Sequence, residues 1–224
     1  MRRKAGHRLV EPCAAPPKPL VWKPSISAPS GNCGKGSGGH DYKSELKLAG
    51  SPLASMTSTG ALFRGAELIG SSNAVRFALS CGEGDFRRDF RRIGLAVSGQ
   101  TIPGLIEAVR MATPTSTSCI VFIGVNDLLA YTRAIFTGAA TITSSQNKLR
   151  KTTRDLLLEL LKTYPCGVTF VETASCPGLS PTDSEWHRVF GLLRYAIKRT
   201  VRSITNKHPA VAMCEVDRLL NIHC

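Results

Sequence analysis

Three short stretches of this 224-residue chain carry side chains that could do chemistry together: Gly70-Ser71-Ser72-Asn73, Ser98-Gly99-Gln100-Thr101 and Gly124-Val125-Asn126-Asp127. A serine at the turn from a strand into a helix can present its hydroxyl as a nucleophile. Its own N–H, the N–H of a glycine that lets the backbone come close, and an asparagine amide can together hold the oxyanion that forms when an acyl carbonyl is attacked. Ser72, Gly99 and Asn126 succeed one another at intervals of 27 residues. That is room for one strand–helix unit between each pair.

Such a trio works only if its members are carried to one edge of a sheet. From residue 61 onward the chain alternates strand-like and helical patterns. Strands are expected over 66–71, 93–97, 119–124, 167–171 and 210–216, the third apolar on both faces as a central parallel strand should be. Helices are expected over 73–79, 102–111, 146–163 and 184–204. Thr101 is the natural N-cap of the second, with Pro103 in its first turn. Leu149, Leu156, Leu157, Leu160 and Leu161 mark the buried side of the third. Trp186, Val189, Phe190, Leu193, Ile197, Val201 and Ile204 recur at three- and four-residue steps in the fourth. This alternation implies a parallel sheet covered by helices, which binds ligands at the carboxyl ends of its strands. All three stretches fall there.

Residues 1–60 read differently. Pro, Gly, Ser and Ala dominate, no periodicity is visible, and little could be buried to offset chain entropy. A disordered basic tail over 1–60 followed by one domain over 61–224 is the expected organisation. The net charge of +13 is shared, +6 in the first 60 residues and +7 in the rest. Such a balance attracts nucleic acid or anionic surfaces. None of the eight cysteines forms a C-x-x-C pair, and Cys119, Cys166 and Cys214 sit in or beside apolar runs, which points to a reducing compartment. No secretory leader and no apolar run of membrane-spanning length is visible, so a cytoplasmic location is expected. Gly31-Asn32-Cys33-Gly34-Lys35-Gly36 lacks the order of a phosphate-binding loop, and Cys13, Cys33 and His40 lack metal-ligand spacing.

The three blocks resemble those of the SGNH (GDSL-type) hydrolases over about residues 61–217. Gly70-Ser71-Ser72 is similar to the family's G-D-S with Ser71 in place of Asp. Gly99 follows the second strand as the family's glycine does, and Gly124-Val125-Asn126-Asp127 matches G-x-N-D in full. The resemblance implies a flavodoxin-like three-layer α/β fold with a five-stranded parallel sheet. It implies an esterase acting on a small ester without metal or organic cofactor, with Ser72 as nucleophile and Ser72, Gly99 and Asn126 as oxyanion donors. The family's last block, D-x-x-H, has no counterpart after the fifth strand. Asp217 and His223 stand nearest to it. They form a displaced pair, or the chain stops short of the block, or the domain is a non-catalytic relative. His187 reads as a surface or boundary histidine, and His208 falls at the amino end of the fifth strand, the wrong edge. Esterase-like domains that look like this also occur in mobile-element proteins, beside basic low-complexity regions.

The alternative function is a non-catalytic module that binds RNA or another polyanion. Arg194, Lys198 and Arg202 follow one another at four-residue steps on the last helix and are the candidate phosphate contacts. Further basic clusters lie at Arg87-Arg88, Arg91-Arg92 and Lys148-Leu149-Arg150-Lys151. Aromatic interleaving is scarce, so such binding would be electrostatic and salt-sensitive. Neither substrate identity nor oligomeric state is legible.

Overall fold

The run Ser-Cys-Ile-Val-Phe forms the middle strand of the sheet, paired on both sides. The computed structural model describes residues 60–83, 91–173 and 184–215. The basic tail, the Arg87-Arg88 loop, Asp217 and His223 lie outside them.

In chain order the elements are β1 (Leu62–Phe63), β2 (Ala66–Gly70), α1 (Ser72–Ser80), β3 (Arg92–Ile93), β4 (Ala96–Val97), α2 (Ile102–Met111), β5 (Ser118–Phe122), α3 (Val125–Phe136), α4 (Ile142–Thr163), β6 (Gly167–Val171), α5 (Ser184–Thr205) and β7 (Val211–Cys214). The parallel strands lie in the order β4-β2-β5-β6-β7. Counted along the chain that is 2-1-3-4-5, the flavodoxin-like order. The register runs Leu68–Ile120–Thr169–Ala212 and Gly70–Phe122–Val171–Cys214 across the sheet.

The alternation of each strand divides the core. Ile69, Cys119, Val121, Val168, Phe170 and Val211 point into a cluster with α2, α3, α4 and α5. Leu68 and Ala96 point the other way, against Ala74, Val75 and Ala78 of α1. Helices therefore lie on both faces, and the architecture is three-layered as expected. Coverage on the α1 side thins toward β7: Ile120, Phe122, Thr169 and Val171 are half-buried and Ala212 is exposed.

Four features depart from the expectation, beginning with β1, a two-residue strand antiparallel to β2. Residues 93–97 are not one strand. Gly94 adopts φ +54 and turns the chain, so that β3 pairs antiparallel with β4. A Cβ on Gly94 would come within 2.6 Å of the Gly60 Cα. Helix α3 was not expected at all. Its apolar residues Val125, Leu128, Leu129 and Ile135 recur at helical spacing, so the signal for it is present in the sequence; its buried positions are Asp127, Leu128 and Thr132, two of them polar. Thr132 satisfies its hydroxyl by donating to the Leu128 carbonyl, 2.7 Å away. Helix α4 begins at Ile142, four residues before the expected start, because Thr141 and Ser144 form a reciprocal cap. Thr101 caps α2 as its type suggests, accepting from the Gly104 N–H at 3.3 Å.

Candidate active site

Strand β2 leads to α1 on one side of the sheet's midline, and β5 leads to α3 on the other. Successive connections run from β2 outward to β4, and then back across to β5. The switch point lies between β2 and β5, where folds of this order bind ligands. The first and third sequence blocks sit on its two sides.

Gly70 ends β2 with φ +123, and a Cβ there would stand 2.1 Å from the Phe122 carbonyl oxygen. Only glycine allows β2 and β5 to run this close at the crevice. Ser71 is extended and buried, and its N–H donates to that same Phe122 oxygen at 2.7 Å. Ser72 follows as the first residue of α1, partly exposed. At this position its N–H has no intrahelical acceptor. An open cleft beside it is lined by Ser71, Asn73, Phe122, Val171 and Thr173, among others. Ser71 and Asn73 thus line the cleft, whereas Ser72, between them in sequence, opens the helix and is not part of the lining.

Gly99 carries φ +82 in the turn closed by the Gln100 N–H on the Val97 carbonyl, 3.1 Å. That is the glycine position of a type II turn. Nothing crowds a Cβ there, so the requirement for glycine is conformational. Gly124 has φ +112 at the mouth of α3, and a Cβ would press on Ile197 Cδ1 at 3.2 Å. Each block glycine therefore holds the left-handed backbone that ends its strand.

The G-x-N-D block does more than supply one amide. Asn126 Nδ2 donates to the Gln100 carbonyl at 2.8 Å. The Asp127 carboxylate accepts the Ile102 N–H, 3.0 Å from Oδ2 and 3.2 Å from Oδ1. Together they clamp residues 100–102, and with them the Gly99 turn, onto the start of α3. One N–H of Asn126 is taken by this bond; the second remains for a ligand. Asp127 is buried, and burial pushes its carboxyl up to about 6 against the opposing pull of backbone N–H groups. Sequence reasoning assigned Asn126 a role and Asp127 none. No local signal points to this pairing, because the helix start that Asp127 meets is that of α2, at Ile102, and not that of its own helix.

Of the remaining candidates, Asp217 and His223 lie outside the described residues. His187 is half-buried with its ring edge-on to Trp186 at 6.1 Å. It precedes Ile197, which meets Gly124, by ten residues, about 15 Å along the helix axis. His208 sits in the turn before β7, at the amino edge as expected, its N–H donating to Ile204.

Arg194, Lys198 and Arg202, the candidate phosphate contacts, share two carboxylates within the fold. Arg194 reaches Glu172 at 2.8 Å and Lys198 reaches it at 3.0 Å. Lys198 also lies 3.7 Å from Glu215, and Arg202 bonds to Glu215. Four-residue spacing aligned the cations correctly but could not reveal the two carboxylates, which come from the ends of β6 and β7.

No protein-family model matches the sequence, and no curated protein matches it. Solved structures do show likeness. The crystal structure of AlinE4, an SGNH-hydrolase family esterase, is 18% identical over 59% of this chain and 69% of its own, with a TM-score of 0.33. Two AlinE4 mutant structures stand at 17% and 19% identity, covering 59% and 62% of this chain and 69% and 64% of their own, with TM-scores of 0.32 and 0.31. Among the described residues no helix is long and apolar enough to cross a membrane.

Proposed function

We propose that this domain is an SGNH-type serine ester hydrolase. The observation that carries the reading is the bond from Asn126 to the Gln100 carbonyl, which ties the second and third blocks together. Ser72 begins a helix beside the crevice, and the Gly99 turn and Asn126 are tied together through Gln100. In this mechanism Ser72 Oγ adds to the carbonyl carbon of a small ester. The charge developing on oxygen is held by the Ser72 N–H, the Gly99 N–H and the free N–H of Asn126. His223, oriented by Asp217, takes the serine proton and returns it to the departing alcohol. Water then repeats the sequence on the acyl-serine, freeing the acid and the enzyme.

The test is hydrolysis of p-nitrophenyl acetate by the full chain, with Ser72→Ala and His223→Ala alongside. Turnover by the wild-type chain that disappears in both variants supports the whole assignment. Turnover lost in Ser72→Ala and kept in His223→Ala assigns the base elsewhere. Wild-type activity equal to that of Ser72→Ala removes the proposal.

A further inference from the structure

Arg194 and Lys198 share Glu172, and a second cluster of cations lies on α4. Lys148, Arg150, Lys151 and Arg154 crowd two turns of α4. Lys148, Lys151 and Arg154 are exposed and Arg150 is half-buried. The ion pairs of α4 instead involve Glu159, with Arg110 and Lys162. The neighbouring helix extends this surface. Helices α4 and α5 both return from the carboxyl edge to the amino ends of their following strands, so they run parallel. Gln146 Nε2 donates to the Leu192 carbonyl at 3.2 Å, which sets their relative height. Arg154 lies eight residues beyond Gln146 and Arg199 seven beyond Leu192, so the two arginines stand at similar heights on the paired helices. Arg199 is exposed, and Tyr195, one turn before it on the same face, is 56% exposed. The exposed carboxylate in the middle of the patch is Asp155.

We infer that this α4–α5 face binds the phosphate backbone of single-stranded nucleic acid, through Lys148, Arg150, Lys151, Arg154 and Arg199, with Tyr195 offering a ring for a base. Cations spaced along a ridge follow a phosphate chain by charge alone, and an exposed aromatic adds sequence-tolerant stacking. A membrane surface is the lesser fit. It calls for apolar side chains between the cations, whereas the exposed residues between them here are polar. The inference is independent of the esterase reading, since none of these residues belongs to the candidate active site.

The test is fluorescence anisotropy of a labelled oligouridylate with the full chain across a salt series. The variant Lys148→Gln/Lys151→Gln/Arg154→Gln is compared with a control that removes the same charge elsewhere, Arg76→Gln/Arg133→Gln/Lys207→Gln. All six residues are exposed, so the melting temperature should hold in both. The patch variant should bind at least about tenfold more weakly near physiological salt. The slope of log K against log salt should flatten by about 2, the value for three lost contacts to a single strand. The control should change binding by less than about twofold. Binding unchanged in the patch variant overturns the inference and assigns affinity to the basic N-terminal region. Equal losses in both variants reduce it to net charge and overturn it too. Patch-dependent capture by phosphatidylserine vesicles with no oligonucleotide binding overturns it in favour of a membrane surface.

Discussion

Gly70 shows how a single position can tie backbone to function. Its left-handed φ and the 2.1 Å approach to Phe122 leave no room for a side chain. Gly70→Ala should cost about 2–5 kcal/mol, combining the left-handed penalty with a clash against backbone that cannot move cheaply, and urea unfolding measures it. Asn126 is more exposed to chemical than to structural loss. If the esterase reading holds, Asn126→Ala should lower kcat about 10²- to 10³-fold, the usual effect of deleting one oxyanion donor, as steady-state kinetics would show. Asp127 adds a pH dependence. Its carboxyl is raised by burial to about 6 from the ordinary 3.8, so the folded state holds its proton more tightly than the unfolded chain does. Its contribution to stability is therefore fully present below about pH 4, declines as pH rises toward 6, and is flat above. The stability difference between wild type and Asp127→Asn, followed by thermal melts from pH 4 to pH 8, should change over that window and nowhere else.

At the scale of elements, four of the five helices were legible from their apolar stripes. Helix α5 carries seven apolar residues on one stripe, and all but the half-buried Trp186 lie in the core. Helix α3 has the spacing too, in Val125, Leu128, Leu129 and Ile135, but its buried face also carries an aspartate and a threonine. The hairpin of β3 and β4 read as one strand because alternation continues through it; Gly94 was the residue that marked the turn. Buried polar pins between elements were invisible as well. Glu67 on β2, 2% exposed, accepts the Thr115 N–H at 3.0 Å and the Tyr164 hydroxyl at 3.1 Å. The pairing joins residues 97 positions apart at the edge opposite the candidate site. Burial and the neighbouring carboxylate push the Tyr164 hydroxyl well above its ordinary range, so it stays a donor throughout the working pH range. Tyr164→Phe should destabilise the fold by about 1–3 kcal/mol, the cost of leaving a buried acceptor short of a partner, read from the urea midpoint.

For the molecule as a whole, the charge distribution separates structure from surface. Glu172 at the end of β6, with its side chain 4% exposed, gathers Arg194 and Lys198 from α5, and Glu215 after β7 takes Arg202. This network fastens the last helix to the carboxyl edge beside the cleft. Glu172→Ala should cost about 2–4 kcal/mol, because it strands two partly buried cations rather than because the pairs themselves are strong. High salt should recover little of that loss, in contrast to its effect on any binding at the exposed α4 face.

Four of the five parallel strands, four of the five helices, the three glycine-led blocks and the overall positive charge were determined by residue type and spacing alone, because periodicity, turn chemistry and composition are local properties. What stands opposite each group was decided only by tertiary structure. Asp127 meets the first N–H of α2, and Asn126 meets the Gln100 carbonyl. Two carboxylates at strand ends claim Arg194, Lys198 and Arg202 of the last helix. Partners drawn from 13 to 97 residues away are brought together by the sheet's register, and no local pattern encodes which of them will meet.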